Sequence, residues 1–396
     1  MDIRKYILDD CAHLKDFKSG NGGIPDLKIS FNIMVKDEER CISRCLDSII
    51  ELADEIIIAD TGSQDSTIEI ISNYKSDKIK LFHFEWINDF SAVRNFMLSK
   101  SSHNIIFQID ADEYIDNSAI DYCEIRKVIL TLLGTHRDNI ILSPLMRDIS
   151  RCDYGKMKRI FYYSNDNFYY YGYVHEELRN KTITSEVTQI ALPMIHDGYS
   201  EDILMQKSKY CRNINLLTHM LVEDEQNPRW LYFMARNMFF ANYPSEEILS
   251  YSNRAIELLS EEDTHLYFKD VLYTIIAKSY LRNGSYSEFE QALQNVNKKN
   301  AEYCYLQLLY LHETGFDNIS RSLVEIFKKF EEIEKPKSVF NSNFDHMWVS
   351  LFWLYLQLFY FDEAKSMLGK LYYGKDKIRS KLVELRDQLD LVIEQC

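Results

Sequence analysis

The feature that most constrains the fold is a regular alternation of short apolar runs and segments of helical pattern near the start of the chain. The apolar runs are rich in β-branched residues and lie at residues 28–35, 55–60, 79–84 and 104–110. Strands that alternate in this way with helices of about ten residues indicate βαβ units and a parallel sheet. The pattern therefore predicts an α/β domain.

Two of these runs end on an aspartate, Asp60 in one case and Asp110 in the other. Ligands of open α/β sheets bind beyond the carboxyl ends of the strands, so we expect the two side chains to meet at one crevice. Asp112 lies two residues after Asp110, and carboxylates with this spacing at a strand end can both reach one divalent cation. Together with phosphate oxygens, such ligands suit Mg²⁺ or Mn²⁺.

The rest of the chain changes pattern twice. Residues 139–195 are rich in strand patterns and aromatic residues, which predicts an antiparallel addition and hence a mixed sheet. The sequence after residue 200 is helical, and its irregular helix–turn–helix units resemble degenerate tetratricopeptide-like repeats. These units lie at 227–259, 270–296 and 345–372. The predicted regions are an N-terminal helix and linker at 1–26, the α/β domain at 27–200 and an all-α repeat domain at 201–396.

Composition and charge limit the partners and the location of the chain. A formal net charge of −15 repels phosphate backbones, which argues against nucleic acid as a partner. Eight cysteines occur without a C-x-x-C pair, as expected for free thiols in a reducing compartment. The first 17 residues lack a signal-peptide pattern, and the most apolar run, at 351–361, is shorter than the ~20 residues of a membrane span. We therefore expect a soluble, cytoplasmic protein with no membrane span.

Three motifs follow one another at the predicted strand ends. They are Lys-Asp-Glu-Glu at 36–39, the segment 59–67 that contains Asp60, and the run Asp-Ala-Asp at 110–112. In this order they resemble glycosyltransferase family 2, over roughly residues 28–200. The resemblance implies that the α/β domain has the GT-A fold, a Rossmann-like mixed sheet, and that it is the catalytic domain of a metal-dependent, inverting glycosyltransferase of the hexosyltransferase class.

Further motifs narrow the resemblance to one branch of that family. They are the segments 86–95, 172–177, 196–199, 212–216 and 227–233. Together with the helical tail they resemble the sublancin-type peptide S-glycosyltransferases of glycocin biosynthesis. This implies a Cys or Ser acceptor in a small precursor bacteriocin peptide. Some of these motifs also occur in members that extend lipopolysaccharide or surface polysaccharide, so a lipid-linked or surface glycan is the alternative acceptor.

The resemblance also implies residue roles on the donor side. Asp110 and Asp112 hold the cation that bridges the donor diphosphate. His196 is the third metal-side group, although an ordinary loop histidine is the alternative interpretation. Asp60 accepts a hydrogen bond from the uracil ring. Nearby Asp65 is interpreted instead as a cap of the following helix.

Other residues complete the implied donor site. Backbone atoms of Met34 and Val35, with Glu38 nearby, form the base and ribose pocket. Arg94, followed by Asn95, lies on the helix before the metal strand and meets the donor phosphates or sugar, a task that suits its forked, permanently charged head. An ion pair between Arg94 and Asp89 is a competing but compatible interpretation.

On the acceptor side, the segment His175-Glu176-Glu177 is the candidate for activation. An inverting enzyme needs a base or an orienting group on the face opposite the diphosphate, and we assign it to His175 or Glu176. A Cys thiol has an unperturbed pKa of about 8.5 and needs less help than a hydroxyl. Positioning of the acceptor is therefore the alternative role of these residues.

The expected partners follow from these roles. They are UDP-glucose or UDP-N-acetylglucosamine as donor, Mg²⁺ or Mn²⁺, a small Cys-containing precursor peptide and a second copy of the chain in a homodimer. The helical repeats are expected to hold the peptide, to dimerise, or both, because stacked units present a concave face to an extended partner. Aromatic residues within 348–355 are interpreted as core or as a dimer seam. A non-catalytic scaffold is disfavoured because the acidic motifs and His196 are intact.

Overall fold

The structure is a computed structural model in which the chain divides into two compact units, Met1–Met220 and Leu221–Cys396. The residues that it describes are 3–9, 27–148, 155–197, 203–259, 266–314, 319–333, 338, 343–357, 360–371 and 374–393. The division falls inside a helix, α5 (Ile203–Glu223), and so lies later in the chain than the predicted boundary at residue 200.

The alternating runs form the parallel half of one sheet. Its strands are β1 (Ile29–Val35), β2 (Glu55–Asp60), β3 (Ile79–His83) and β4 (Ile105–Asp110), and the connecting helices are α1 (Ile42–Ile49), α2 (Thr67–Asn73) and α3 (Phe90–Lys100). β1 lies between β2 and β4 and pairs with both in parallel. Alternate residues of β2 face opposite sides, since Ile58 packs in the core with α1 whereas Ile57 packs with α3. Both faces of this half are therefore covered, which explains its continuous apolar runs.

Later strands extend the sheet and make it mixed. They are β5 (Glu113–Ile115), β6 (Ile140–Asp148), β7 (Ile160–Tyr162) and β10 (Glu186–His196), and α4 (Tyr122–His136) precedes β6. The strand order is β3-β2-β1-β4-β7-β6-β10-β5. β7 runs antiparallel to β4 and β6, β10 runs parallel to β6, and β5 runs antiparallel to β10. The predicted mixed α/β sheet is confirmed.

Two of the aromatic strands do not join this sheet. β8 (Phe168–Tyr171) and β9 (Glu177–Asn180) form a separate antiparallel pair, which differs from the expected addition to the main sheet. The pair packs on the sheet through its aromatic rings, and the ring centroids of Phe161 and Phe168 lie 5.0 Å apart. Side-chain packing thus takes the place of backbone pairing for these strands.

The N-terminal segment differs from the predicted amphipathic helix in the part that the structure describes. Ile3–Tyr6 is a single 3₁₀ turn, and Ile7 then makes an isolated antiparallel bridge with Ile190. The remainder of the predicted helix and the linker, residues 10–26, lie outside the described residues.

The second unit consists of helices wherever the structure describes regular elements. Predicted helix–turn–helix units coincide with α6 (Pro228–Phe240) and α7 (Ser245–Leu258), α8 (Leu266–Arg282) and α9 (Tyr286–Leu293), and α12 (Asp345–Gln357) and α13 (Phe361–Lys370). The region predicted to be helical also contains α10 (Ala301–Thr314), α11 (Ile319–Glu331) and α14 (Lys375–Ile393), which the sequence analysis assigned to no repeat unit. Phe352 is buried in the helical core and Trp348 packs against it, which favours the core interpretation of these aromatics. None of the helices, over the residues described, is long and apolar enough to cross a membrane.

Candidate active site

Strand register brings the predicted acids of the first half of the domain together. Val35 at the end of β1 lies beside Asp60 of β2, and Met34 lies beside Asp110 of β4. The carboxyl ends of three parallel strands therefore form one edge. The backbone of Met34 and Val35 lies between the two acids, which is where the predicted nucleotide pocket requires it.

A short antiparallel pairing brings the end of β10 to the same edge. β5 begins directly after Asp112, and its pairing with β10 sets His196 opposite Glu113. Nε2 of His196 lies 3.3 Å from Oδ2 of Asp112, and both side chains are partly exposed. Burial lowers the pKa of His196, but the hydrogen bond to Asp112 and the neighbouring carboxylates outweigh this, so the pKa is raised. Two of the three predicted metal-side groups are thus adjacent.

Asp110, the third of these groups, lies between two guanidinium groups. Nη2 of Arg94 donates to Oδ1 and Nη2 of Arg159 donates to Oδ2, each at 3.0 Å. Burial acts to raise the pKa of Asp110, but Arg159 and Arg94 more than offset it and hold the pKa well below its usual range. The carboxylate is therefore ionised at neutral pH.

The donor set fits a divalent cation through Asp112 and His196. A carboxylate oxygen and an imidazole nitrogen face each other there, and the ionised Asp110 lies next to them with both oxygens already accepting from arginines. Each carboxylate oxygen carries a second lone pair and can accept more than one partner. Over the part of the chain that the structure describes, no three His, Cys, Asp or Glu side chains form a ready cage for a metal ion. A cation here would need further ligands from a bound molecule.

Arg94 connects this edge to the predicted acceptor side. Its Nε forms a close ion pair with Glu176, and both side chains are about nine-tenths buried. The ring of Tyr170 lies 5.6 Å from the guanidinium carbon. Nη1 of Arg94 is buried and has no hydrogen-bond partner among the described residues. A buried donor without an acceptor calls for a ligand or water, so this guanidinium can still receive an anionic group. Asp89, the alternative partner of Arg94, instead caps α3 by accepting from the Ala92 N–H at 3.0 Å.

His175 and Glu176 lie in the connection between β8 and β9. The backbone of His175 is left-handed, with φ of 52°, a conformation that is uncommon outside glycine. The Tyr173 carbonyl accepts a hydrogen bond at 3.0 Å from the N–H of Phe90, which ties the connection to the start of α3. Residues held in such conformations cluster at binding and active sites. The acceptor-side role of the two residues remains a prediction.

Asp60 organises the turn that follows β2. Its carboxylate accepts from the N–H groups of Gly62 at 3.2 Å and Ser63 at 3.0 Å. Burial acts to raise the pKa of Asp60, but these hydrogen bonds lower it, with a contribution from His83. Gly62 adopts φ of 104°, which a residue with a side chain would adopt only under strain. The predicted uracil contact remains a prediction for Asp60.

The loop after β1 lies against the start of α2. The Glu38 N–H donates to Oγ1 of Thr67 at 2.8 Å, and Oδ1 of Asp65 accepts from the Thr67 N–H at 2.9 Å. Asp65 thus serves the start of the helix, as its structural interpretation requires. Burial raises the pKa of Glu38, and although the Cys41 thiol donates to it at 3.1 Å, Asp112 adds to the rise. Glu38 is therefore electrostatically part of the acidic edge.

Asn95 has a clear structural partner. Nδ2 donates to the Tyr170 carbonyl at 2.9 Å and Oδ1 accepts from the Tyr170 N–H at 2.8 Å. The amide thereby pairs with β8 as a neighbouring strand would. Its predicted donor-binding role remains a prediction, and the contact that the structure gives it joins α3 to the β8–β9 pair.

Sequence reasoning missed three groups around these residues. Arg159 and Glu113 form a close buried ion pair, and Oε2 of Glu113 accepts from the Asp110 N–H at 2.9 Å. Asp197 pairs with Arg40 at 3.0 Å and holds the end of β10 against the start of α1. The available signals were weak: Glu113 directly follows the acidic motif, Asp197 follows His196, and Arg159 is the last of three basic residues before a buried strand.

The edge of acids and guanidinium groups at the ends of β1, β2 and β4 defines a ligand-binding α/β domain of the GT-A type. Residues 30–195 match the family described as Glycosyl transferase family 2, and this domain belongs to that family. The chain therefore carries a glycosyltransferase domain, and the fold predicted from its motifs is confirmed.

Among its relatives is the SPbeta prophage-derived glycosyltransferase SunS of Bacillus subtilis (strain 168). The two are 29% identical over 285 residues, which are 72% of this chain and 66% of SunS, slightly less than two thirds of its length. The lipopolysaccharide core biosynthesis glycosyltransferase LpsC of Rhizobium meliloti is 32% identical over 97 residues, 24% of this chain and 35% of LpsC. Among solved structures, S. aureus TarS 1–349 in complex with UDP-GlcNAc matches with a TM-score of 0.36 and 11% identity, over 78% of this chain and 90% of that chain.

Proposed function

We propose that this chain transfers a sugar from a UDP-sugar to a Cys or Ser side chain of a small precursor peptide, with inversion at the anomeric carbon. The observation that carries the proposal is the meeting of Asp112 with His196 beside the ionised Asp110, at the carboxyl edge of a family 2 domain. This edge is where open α/β sheets bind their ligands. UDP-glucose and UDP-N-acetylglucosamine are the donors to test first.

On the donor side, Asp112 and His196 would hold Mg²⁺ or Mn²⁺ with Asp110 adjacent. When bound, the cation would neutralise the charge that develops on the departing diphosphate. Arg94 adds a permanent positive charge, and its unpartnered buried Nη1 gives a phosphate oxygen a donor to bind. Asp60, Glu38 and the end of β1 would surround the nucleoside.

On the acceptor side, Glu176 and His175 would orient the nucleophile. Glu176 is held by Arg94, so its carboxylate is fixed in place and stays an acceptor for a hydrogen bond from a thiol or hydroxyl. A thiol loses its proton readily, so orientation contributes more to its reaction than a strong base does. This favours the positioning role for Glu176.

The peptide acceptor rests on the resemblance of the motifs to the sublancin-type peptide S-glycosyltransferases. The similarity to the glycosyltransferase SunS covers 72% of the chain and extends beyond the family 2 domain. We assign the grip on the peptide to the helical unit and include the homodimer and the cytoplasmic location in the proposal. The match to LpsC, a lipopolysaccharide enzyme by name, favours a second candidate. In that case the same chemistry would serve a glycan acceptor.

Mass spectrometry of the full chain incubated with Mn²⁺, a panel of UDP-sugars and the precursor peptide encoded beside its gene tests the proposal. We expect a gain of one hexose or N-acetylhexosamine that disappears when the acceptor Cys or Ser of the peptide is changed to Ala. Asp112→Asn should slow the reaction about 100-fold, whereas the control Asp47→Asn, an exposed carboxylate bonded to Tyr74, should not. Donor hydrolysis without any peptide product would move the acceptor to a glycan, and an unchanged rate in Asp112→Asn would contradict the metal-side role.

A further inference from the structure

Arg159 and Glu113 contact each other, and both contact Asp110. Arg159 donates to the Asp110 carboxylate at 3.0 Å and forms a close ion pair with Glu113. Glu113 in turn accepts from the backbone N–H of Asp110 at 2.9 Å. Asp110 is therefore held through its main chain and its side chain by the same pair of residues. The side chains of Arg159 and Glu113 are only 7% and 1% exposed, so neither is placed to touch a ligand in solution.

Burying this ion pair costs free energy. Removing two charges from water costs several kcal/mol per ion, and apolar residues of similar size often stabilise a fold equally well or better. In addition, Nε of Arg159 is buried without a hydrogen-bond partner among the described residues. Stability alone does not account for the pair. What it does supply is a fixed orientation for Asp110, against the competing pull of Arg94 on the other carboxylate oxygen.

The geometry points to Arg159 and Glu113 as positioning residues that hold the Asp110 carboxylate toward the metal side of the site. This inference rests on the proposed function, since it takes Asp110 to serve the cation and the donor diphosphate. Without Arg159, the Asp110 carboxylate would keep only its contact with Arg94. The groups that orient a metal-side carboxylate typically change metal affinity or activity 10–100-fold when they are removed.

The test compares three full-length variants. Arg159→Met combined with Glu113→Leu replaces the ion pair by apolar side chains and avoids leaving one buried charge alone. Arg159→Lys keeps the charge but loses the planar guanidinium, whose Nη2 contacts both carboxylates. Arg126→Met is the control, because Arg126 also joins a carboxylate, that of Asp54, in the same domain but at the opposite end of β2. Thermal unfolding monitored by circular dichroism identifies the variants that fold.

The readout is the affinity for UDP, measured by calorimetry with Mn²⁺ and again with EDTA. We expect the double variant to lose about 10-fold or more of its UDP affinity in Mn²⁺ and none in EDTA. The UDP affinity of Arg159→Lys should lie between those of the double variant and the wild type. The control should bind UDP as tightly as the wild type. Any of three results would overturn the inference. The double variant could bind UDP as tightly as the wild type, it could lose the same affinity with Mn²⁺ and with EDTA, or the wild type could bind UDP equally well with and without Mn²⁺. Binding of UDP does not depend on the acceptor. A failure to modify any peptide would therefore reject the proposed function while this test still decides the role of Arg159.

Discussion

Two acidic residues on β2 show how the position of a carboxylate on a strand decides its use. Glu55 begins the strand and Asp60 ends it. Glu55 is 3% exposed and its carboxylate accepts hydrogen bonds from Lys80 at 2.5 Å and from Ser30 at 2.6 Å. At the amino end of the strand the charge of Glu55 is paired with Lys80 and serves the fold. At the carboxyl end the same type of side chain lies at the ligand-binding edge.

We expect Glu55→Gln to lower the free energy of unfolding by about 2 kcal/mol near pH 7, because it removes charged hydrogen bonds inside the domain. Burial acts to raise the pKa of Glu55, but Lys80, Ser30 and Ser102 lower it to about 2. That value lies below the ~4.3 of an unfolded chain. The stabilisation is therefore complete above about pH 4.3 and is lost as the pH falls toward 2.

Urea unfolding of the wild type and Glu55→Gln at neutral and acidic pH measures this difference. The gap between the two proteins should narrow steadily below about pH 4.3. A gap that stays constant into the acid range would show that the charge of Glu55 contributes nothing. Ser72→Ala, which removes an exposed hydroxyl bonded within α2, serves as the control and should show no such trend.

At the scale of residues, the sequence predicted those site residues whose position follows from a local pattern of apolar residues. The sequence indicates Asp60, Asp110 and Asp112 because each lies at the end of an apolar run or just after it. The pairing of Arg159 with Glu113 joins residues 46 positions apart and depends on β7 lying antiparallel to β4. A long-range register of this kind has no local signal in the sequence. The contacts of Arg159 and Glu113 with Asp110 could therefore not be predicted.

At the scale of elements, the side chain of Asn95 joins α3 to the β8–β9 pair. Asn95 on α3 makes both of its amide hydrogen bonds with the backbone of Tyr170 on β8. The same helix carries Arg94, and the connection after β8 carries Glu176, so the ion pair between them depends on this join. The relative position of Arg94 and Glu176 thus depends on an element contact outside the main sheet.

We expect Asn95→Ala to destabilise the domain by about 2 kcal/mol, since it leaves buried backbone groups of Tyr170 without partners. The β8–β9 pair should open more readily than the rest, so its amide hydrogens, at 168–180, should exchange faster while those of β1 and β4 keep their protection. Hydrogen exchange followed by mass spectrometry measures this. Asp89→Ala removes the cap of α3, costs about 1 kcal/mol and is the matched control. If the β8–β9 amides exchange no faster in Asn95→Ala than in Asp89→Ala, the role given to Asn95 is contradicted.

Elements with strong periodicity were predicted well, and those that depend on their neighbours were not. The four parallel strands and three helical hairpins agree with the sequence pattern because burial on two faces or on one stripe determines their composition. The 3₁₀ turn at Ile3–Tyr6 replaces a predicted helix because Ile7 pairs with Ile190 in the sheet. The β8–β9 pair was assigned to the wrong sheet, since aromatic strands carry the same pattern wherever they pair.

At the scale of the whole molecule, each unit holds its own core. One apolar cluster of the α/β unit consists of residues between 29 and 194, and two clusters of the helical unit lie between 276 and 378. Units with separate cores can fold separately. The predicted division of labour, with donor chemistry in the first unit and acceptor binding in the second, is therefore open to a direct test.

We expect a chain that ends at residue 226, which keeps α5 whole, to bind UDP with Mn²⁺ as tightly as the full chain does. Its kcat/KM for the precursor peptide should fall by at least about 10-fold, or about 1.4 kcal/mol of acceptor binding. Trp230→Ala in the full chain gives the same comparison without a deletion. It removes a fully buried side chain of α6 and costs the helical unit about 3–5 kcal/mol. If UDP binding and peptide kcat/KM both survive in the two proteins, the helical unit does not hold the acceptor, and peptide recognition belongs to the family 2 domain itself.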